Sequence, residues 1–430
     1  MMHSSSQKET GDPGRRRKKP HSVLIIILIA VAVMVITLLI VFGMKQQQAE
    51  KAQDVLDPFY APPANLTAGS PGDIVRIESI PVDIPGARAW RILYLSEQLD
   101  GRRSVTSGMI IAPTGTPPEG GRPVIAWAHP TLGMGTSCAP SRKTNPYAGM
   151  PWLQGMIANG WVVTATDYHG LGTPGVLPYL VGRAEAHDVI NSVRAAIRVK
   201  ETGAGNRYAV WGHSQGGHAV LWAAQVRNEY AAELIMVGAA AAAPAAELAS
   251  LLSQQYDKMV AWVIGPEVLV AWPYYYPDVP VDNVTTSAGH GNYRKMSNLC
   301  ILNASYEAII RENVMNEQLF SVNPMTDGQW NKVAGENTPS PPGELPVLIV
   351  QGLADTVVLP NTTALLVERY YAARSPLTVA WLGDVGHMQA GFIAGPLVNT
   401  WLQQRFAGIP ASSTRGTANP VPAAGKPPLN

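Results

Sequence analysis

The segment Gly212-His213-Ser214-Gln215-Gly216-Gly217 is the first in this chain that could do covalent chemistry. It follows a short apolar run and opens a helical-looking one. In a strand–turn–helix setting the turn projects the Ser214 hydroxyl outward, and glycines at 212 and 216 remove side chains that would collide with it. The helix start beneath adds unpaired amides and a partial positive charge where an oxyanion would develop. The pattern G-x-S-x-G is common, and its bland reading is an ordinary glycine-rich turn.

A serine hydroxyl is a poor nucleophile without a base, and the base needs an orienting acid. In an α/β fold those partners follow in the order acid, then histidine, each after a later strand. Asp355 stands directly after the apolar run 347–350, and His387 follows the run 377–382 as the only histidine beyond position 290. Asp384 is a rival acid, but it lies in the same loop as His387. The oxyanion hole would use the amide of Gln215 and one from the loop after 124–128, which reads His129-Pro130-Thr131-Leu132-Gly133. Pro130 has no amide proton, so Thr131 is the expected donor. His129 reads as structural, and His213 and His218 as parts of the elbow and the first helical turns. The histidines lack metal-site spacing and the glycine-rich turn lacks the lysine of a phosphate loop, so neither metal nor cofactor is expected.

Positioning these groups requires strands that alternate with helices. Early strands are expected at 74–78, 87–95 and 104–111, then short apolar strands at 124–128, 161–166, 208–211, 234–240, 347–351 and 377–382. Helices are expected at 149–158, 184–200, 215–230, 362–372 and 388–406. The alternation argues for an α/β fold with a mainly parallel sheet. It lapses over 246–344, which holds the cluster Trp272-Pro273-Tyr274-Tyr275-Tyr276-Pro277 and reads as a cap inserted between two strands. The core is then 72–245 plus 345–407, with a linker at 45–71 and a flexible tail at 408–430.

Of 430 residues, 46% are hydrophobic and 15% charged, which excludes disorder as the main character, and two cysteines exclude a disulfide scaffold. The formal charge of +1 makes whole-chain affinity for nucleic acid an unlikely design. Basic charge is concentrated instead at the N-terminus, where residues 1–20 carry six basic and two acidic side chains. Residues 1–22 form this basic tail. The run 23–44 contains no charge, and as a helix its 22 residues would span roughly 33 Å, enough for a hydrocarbon core of about 30 Å. Arg15, Arg16, Arg17, Lys18 and Lys19 precede it, so a signal anchor would leave the body extracytoplasmic. A cleaved secretory signal is the competing reading. Outside the membrane Cys138 and Cys300 could form a disulfide, and only one intramolecular pairing exists; two unpaired buried thiols are the alternative.

Several segments together resemble the secretory lipase family, a lipase A-like branch of the α/β-hydrolases. They are Ser137-Cys138-Ala139-Pro140-Ser141, Asp167-Tyr168-His169-Gly170-Leu171-Gly172-Thr173-Pro174-Gly175, Tyr179-Leu180-Val181-Gly182, the serine elbow, Gly352-Leu353-Ala354-Asp355 and Gly386-His387. The resemblance spans about residues 55–407. It implies hydrolysis of carboxylic esters, acylglycerols included, by the triad Ser214, Asp355 and His387, with a cap between the sixth and seventh strands. It also implies the pairing Cys138–Cys300. The apolar run departs from the pattern, since family members are usually released. An acyltransferase or a peptidase could use the same three side chains.

Overall fold

The computed structural model describes residues 53–63 and 69–426, with scattered positions between 25 and 51. The described positions of the run 23–44 are helical; its other residues, and the basic tail 1–22, lie outside the described residues. Among the described residues no helix is long and apolar enough to cross a membrane.

The body is built on one nine-stranded sheet: β1 (Ile74–Ile80), β2 (Ala87–Glu97), β3 (Arg103–Pro113), β4 (Arg122–Ala128), β5 (Val162–Thr166), β6 (Ala204–His213), β7 (Ile235–Ala242), β8 (Val347–Gly352) and β9 (Leu377–Leu382). Their spatial order is β1-β2-β3-β5-β4-β6-β7-β8-β9. The first three pair antiparallel, as does β3 with β5, and every later pairing is parallel. The parallel strands β5 and β8 are buried at every residue, as continuous apolar runs are when helices cover both sheet faces.

The helices are α1 (Leu153–Ala158), α2 (Gly182–Arg198), α3 (Gln215–Tyr230), α4 (Leu248–Gln255), α5 (Met259–Tyr275), α6 (Ser287–Ser297), α7 (Ile301–Ile309), α8 (Gly328–Glu336), α9 (Pro360–Ala372) and α10 (His387–Phe406). Alternation along β4 divides the core. Val124 and Ala126 join the α2 and α3 residues Val189 and Val220 on one face, while Ile125 and Trp127 join Met156 of α1 and Val398 and Leu402 of α10 on the other. This is an α/β-hydrolase-like arrangement. Helix α1 starts later than expected because Trp152 takes φ 61°, a left-handed conformation in which a helix cannot continue.

Helices α4 to α8 fill the insertion between β7 and β8. The insertion thus follows the seventh strand rather than the sixth, because the antiparallel edge contributes one strand more than the resemblance counts. Pro266 and Pro273 lie inside α5 and mask its helical character in the sequence. The aromatic cluster divides, with Trp272 turned inward and Tyr274 left half-exposed. Trp272 is fully buried with its ring 5.5 Å from that of Trp330, and Tyr275 donates to the Val176 carbonyl at 2.7 Å.

Both flanks of the body differ from expectation. Within the supposed linker, Phe59 and Tyr60 are buried against Leu93, Leu95 and Val105, and Asp57 pairs with Arg142. Within the supposed tail, Thr414 donates its amide to Leu377 at 3.0 Å, Ala424 donates to Asn361 at 3.0 Å, and Lys426 pairs with Glu368. Polar, proline-rich composition signalled a spacer in each case, yet single aromatic and threonine side chains supply enough contacts to dock the segment.

Cys138 and Cys300 are joined, with their Cα atoms 5.3 Å apart and 162 residues between them in sequence. A loop of that length gives the bridge a chain-entropy contribution of about 4–5 kcal/mol. The double variant C138S/C300S should therefore unfold at a clearly lower urea midpoint than the oxidised protein, and reducing agent should lower the wild type to match it.

Candidate active site

Ser214 sits on a turn with no slack. It lies between the last residue of β6 and the first of α3 with φ 57° and ψ −117°, a region that L-residues avoid. Neighbouring backbone holds it there. A Cβ on Gly212 would stand 2.2 Å from the Gly216 carbonyl oxygen, and one on Gly216 would stand 1.9 Å from that of Ala128. Only glycine fits at either position. The elbow therefore presses directly against the end of β4, where the loop with Thr131 begins.

The hydroxyl of Ser214 lies 2.9 Å from Nε2 of His387, and Nδ1 of the same ring lies 2.8 Å from Oδ2 of Asp355. Three strand ends, of β6, β8 and β9, thus deliver side chains 173 and 32 residues apart in sequence to one hydrogen-bonded line. Asp355 is fixed from behind. Its Oδ1 accepts from the amides of Val357 and Val358, both at 2.9 Å, and its Oδ2 from the side-chain amide of Gln351 at 3.2 Å. With the acid an acceptor, Nδ1–H donates to it and the Nε2 lone pair faces the serine proton. Asp384, the rival acid, is exposed and points its chemistry at solvent.

His213 has a part that its position beside the serine did not announce. Its Nε2–H donates to the His387 carbonyl at 3.0 Å, and the two rings are 4.8 Å apart. Burial, then the neighbouring His387, press its pKa down to about 3, so it remains a neutral donor that braces the first residue of α10. His129 is structural, as expected: it is buried, its ring lies 4.6 Å from that of Tyr168, and burial lowers its pKa.

Thr131 is buried in the loop after β4, and its hydroxyl lies 2.8 Å from that of Tyr179. The loop is clamped to the insertion: Met134 donates its amide to Ser297 at 2.7 Å, and Ile301 donates to Leu132 at 2.9 Å. The Cys138–Cys300 bridge adds a covalent tie between the same two segments. Gln215 begins α3 immediately after the serine, and its side chain turns away to donate to Glu185 at 2.8 Å. That leaves only its main chain beside the hydroxyl.

Glu185 belongs to a buried polar hub that sequence reading missed. Its carboxylate accepts from Gln215, from the Leu180 amide at 3.1 Å and from His218 at 3.0 Å. The other nitrogen of His218 lies 2.7 Å from the carbonyl of Asn337, which also accepts from the Trp222 indole at 2.9 Å. Asn337 comes from the end of α8, so the hub fastens the insertion to the helix that carries the elbow. No motif spacing marks these residues, because they converge from α2, α3 and the end of α8, far apart in sequence.

A cavity of about 50 Å³ opens on Ser214, with Tyr179 and Leu180 on one side and Leu248, Leu252, Ala261 and Ile264 of the insertion on the other. Its walls are apolar. The aromatic cluster at 272–277 does not line it; Trp272 packs on Trp330 within the insertion, and Tyr275 reaches the core at Val176.

A family model for secretory lipases matches residues 147–414. Among relatives, a probable inactive lipase of Mycobacterium tuberculosis is 25% identical over 384 residues, covering 84% of each chain. Lipase 10 of Candida albicans is 25% identical over 394 residues, covering 83% of this chain and 82% of its own. Among solved structures, lipase A of Candida antarctica superposes with a TM-score of 0.69 at 18% identity, over 85% of this chain and 89% of the other. The cell-wall-degrading esterase LipA of Xanthomonas oryzae gives 0.65 at 17% identity, over 80% of this chain and all of the other. These likenesses concern the fold.

Glu267 on α5 is a second buried carboxyl near the hub, 2% exposed, with no hydrogen-bond partner for its Oε2 among the described residues. Burial, then the facing Glu185, raise its pKa well above the ordinary carboxylate value, and Tyr179 lies close enough to feel its charge. Above about pH 4.5 the folded chain keeps a proton that the unfolded chain has released, so stability falls as pH rises through that window. Glu267→Gln cannot ionise. Its stability relative to wild type should rise as the pH climbs above about 4.5, by at most about 1.4 kcal/mol per pH unit, read from urea midpoints at each pH.

Proposed function

Because the chain belongs to the secretory lipase family, we propose that it is an active serine ester hydrolase that cleaves carboxylic esters, acylglycerols among them, through an acyl-enzyme. The observation that carries this reading is the unbroken line Ser214–His387–Asp355, at 2.9 Å and 2.8 Å. In it, Ser214 attacks the ester carbonyl while His387 takes the hydroxyl proton. His387 then returns that proton to the leaving alcohol, and water repeats the sequence to release the acid. Asp355 fixes the ring tautomer and stabilises the imidazolium. The amides of Gln215 and Thr131 receive the oxyanion, one such donor being worth roughly 3–4 kcal/mol.

The inactive label on the mycobacterial relative favours a second reading, a non-catalytic member of the family. A chain freed from catalysis has no reason to keep a strained serine, a buried acid with four donors and a braced histidine together, and this chain has all three. Ser214→Ala separates the readings. It should lower kcat on p-nitrophenyl butyrate by about four to six orders of magnitude while leaving the melting temperature within a few degrees. Equal turnover by wild type and variant would sink the hydrolase.

The apolar walls from α4 and α5 supply the acyl side of the site, and residues 246–344 act as its cap. At about 50 Å³ the cavity holds one or two water volumes, so α4 and α5 must shift to admit a long chain. Ala261→Phe fills this space. It should cut kcat/KM for a dodecanoyl ester by about ten-fold or more and change the acetyl ester little, measured on the same enzyme preparation. Residues 23–44, behind the basic cluster Arg15–Lys19, serve as a membrane anchor with the body on the extracytoplasmic side, and cleavage within the segment 45–55 would yield a released form.

A further inference from the structure

A second cavity, of about 210 Å³, lies on the sheet face that carries α1 and α10, opposite the insertion. Its walls are apolar, from Leu132, Pro140, Met150, Met388 and Phe392, and one cation lines it, Lys143. Neither Ser214 nor His387 reaches it.

Two features of this cavity are hard to account for by packing alone. Lys143 is half-buried, and its ammonium makes no hydrogen bond or ion pair among the described residues. The carboxylate that faces it, Asp167, is committed elsewhere: it accepts from the hydroxyls of Ser107 and Ser141 and from the Ser141 amide at 3.0 Å. Burial pulls the lysine pKa down, and the Asp167 charge offsets that only in part. At the mouth, Met388 is 63% exposed and Phe392 56%, both on the first turns of α10. Exposed large apolar side chains at a cavity rim, with a cation inside that only the distant charge of a committed carboxylate offsets, are complementary to an amphipathic anion.

We propose that this cavity binds the carboxylate of a medium-chain fatty acid, with Lys143 pairing to the head group and Met150, Met388 and Phe392 covering the chain. The volume holds about seven water-sized units, which suits an eight-carbon acid. The choice of a fatty acid rests on the hydrolase reading, because such an acid is the product that hydrolysis would release. The site itself requires no turnover. His213 lines the same cavity and donates to the His387 carbonyl, so a bound acid would press on the brace of the base and slow hydrolysis without competing for Ser214.

Calorimetric titration of the full chain with octanoate and with octanol tests this. Octanoate should bind wild type and Ser214→Ala alike, lose ten-fold or more in affinity to Lys143→Met, and regain it in Lys143→Arg. Octanol, which has no charge, should bind wild type and Lys143→Met equally. Lys143→Met should still hydrolyse p-nitrophenyl acetate at the wild-type rate, which also confirms that it folds. Octanoate bound equally by wild type and Lys143→Met, or by neither, overturns the site. Octanoate bound as described by a chain that hydrolyses no ester would instead remove the hydrolase reading and leave the site standing.

Discussion

Everything at the site depends on one close approach, the backbone of Gly216 against the Ala128 carbonyl. That contact admits no Cβ, and it holds the end of β4 against the start of α3. With those two elements locked, the residue between β6 and α3 must take a positive φ, and it is a serine. The strain of that conformation, of order 1–3 kcal/mol, is offset by the parallel pairing of β4 with β6 and β6 with β7 on either side. The hydroxyl is therefore aimed by the backbone, before any side-chain partner is considered.

The base is held in an equally indirect way. His387 is the first residue of α10, where a helix start would ordinarily fray. His213 grips its carbonyl and Asp355 grips its ring, so main chain and side chain are both fixed from below the site. Polar groups repeat this logic on the other side of the elbow. Glu185, His218 and Asn337 are buried and mutually hydrogen-bonded, and they join α2, α3 and the insertion through side chains rather than through apolar area alone. A hydrogen-bonded buried network favours one arrangement of its members, since a slip leaves more polar groups unpaired in a low-dielectric interior.

The sheet was legible in the sequence wherever a strand was buried on both faces. The run 347–350 is apolar throughout and bounded by turn residues, and β9, only half-buried beyond Leu377, still matches its expected limits because turn residues bracket it. The side chains at 214, 355 and 387 were legible for a related reason, since a strand end followed by a short loop is a position that can be counted along a chain. The insertion was not legible in detail. Prolines at 266 and 273 interrupt the pattern of α5, and its Trp272 packs against Trp330 instead of lining the cavity beside Ser214. The hub at Glu185 and the lone Lys143 escaped notice because what distinguishes them is burial and the partners they keep or lack. Neither property is written in residue spacing.

The sulfur bridge fixes one point of the inserted segment. It anchors the N-terminal end of α7 to the loop after β4, and backbone bonds at Leu132 and Met134 reinforce that anchorage within a few residues. The walls of the cavity beside Ser214 come instead from α4 and α5, which open the inserted segment. Those walls have ties of their own: Gln255 at the end of α4 donates to the carbonyls of Thr356 and Val357, both at 2.8 Å, and Glu247 pairs with Arg369. The inserted segment is thus pinned twice, by sulfur beside the Thr131 loop and by hydrogen bonds beside Asp355.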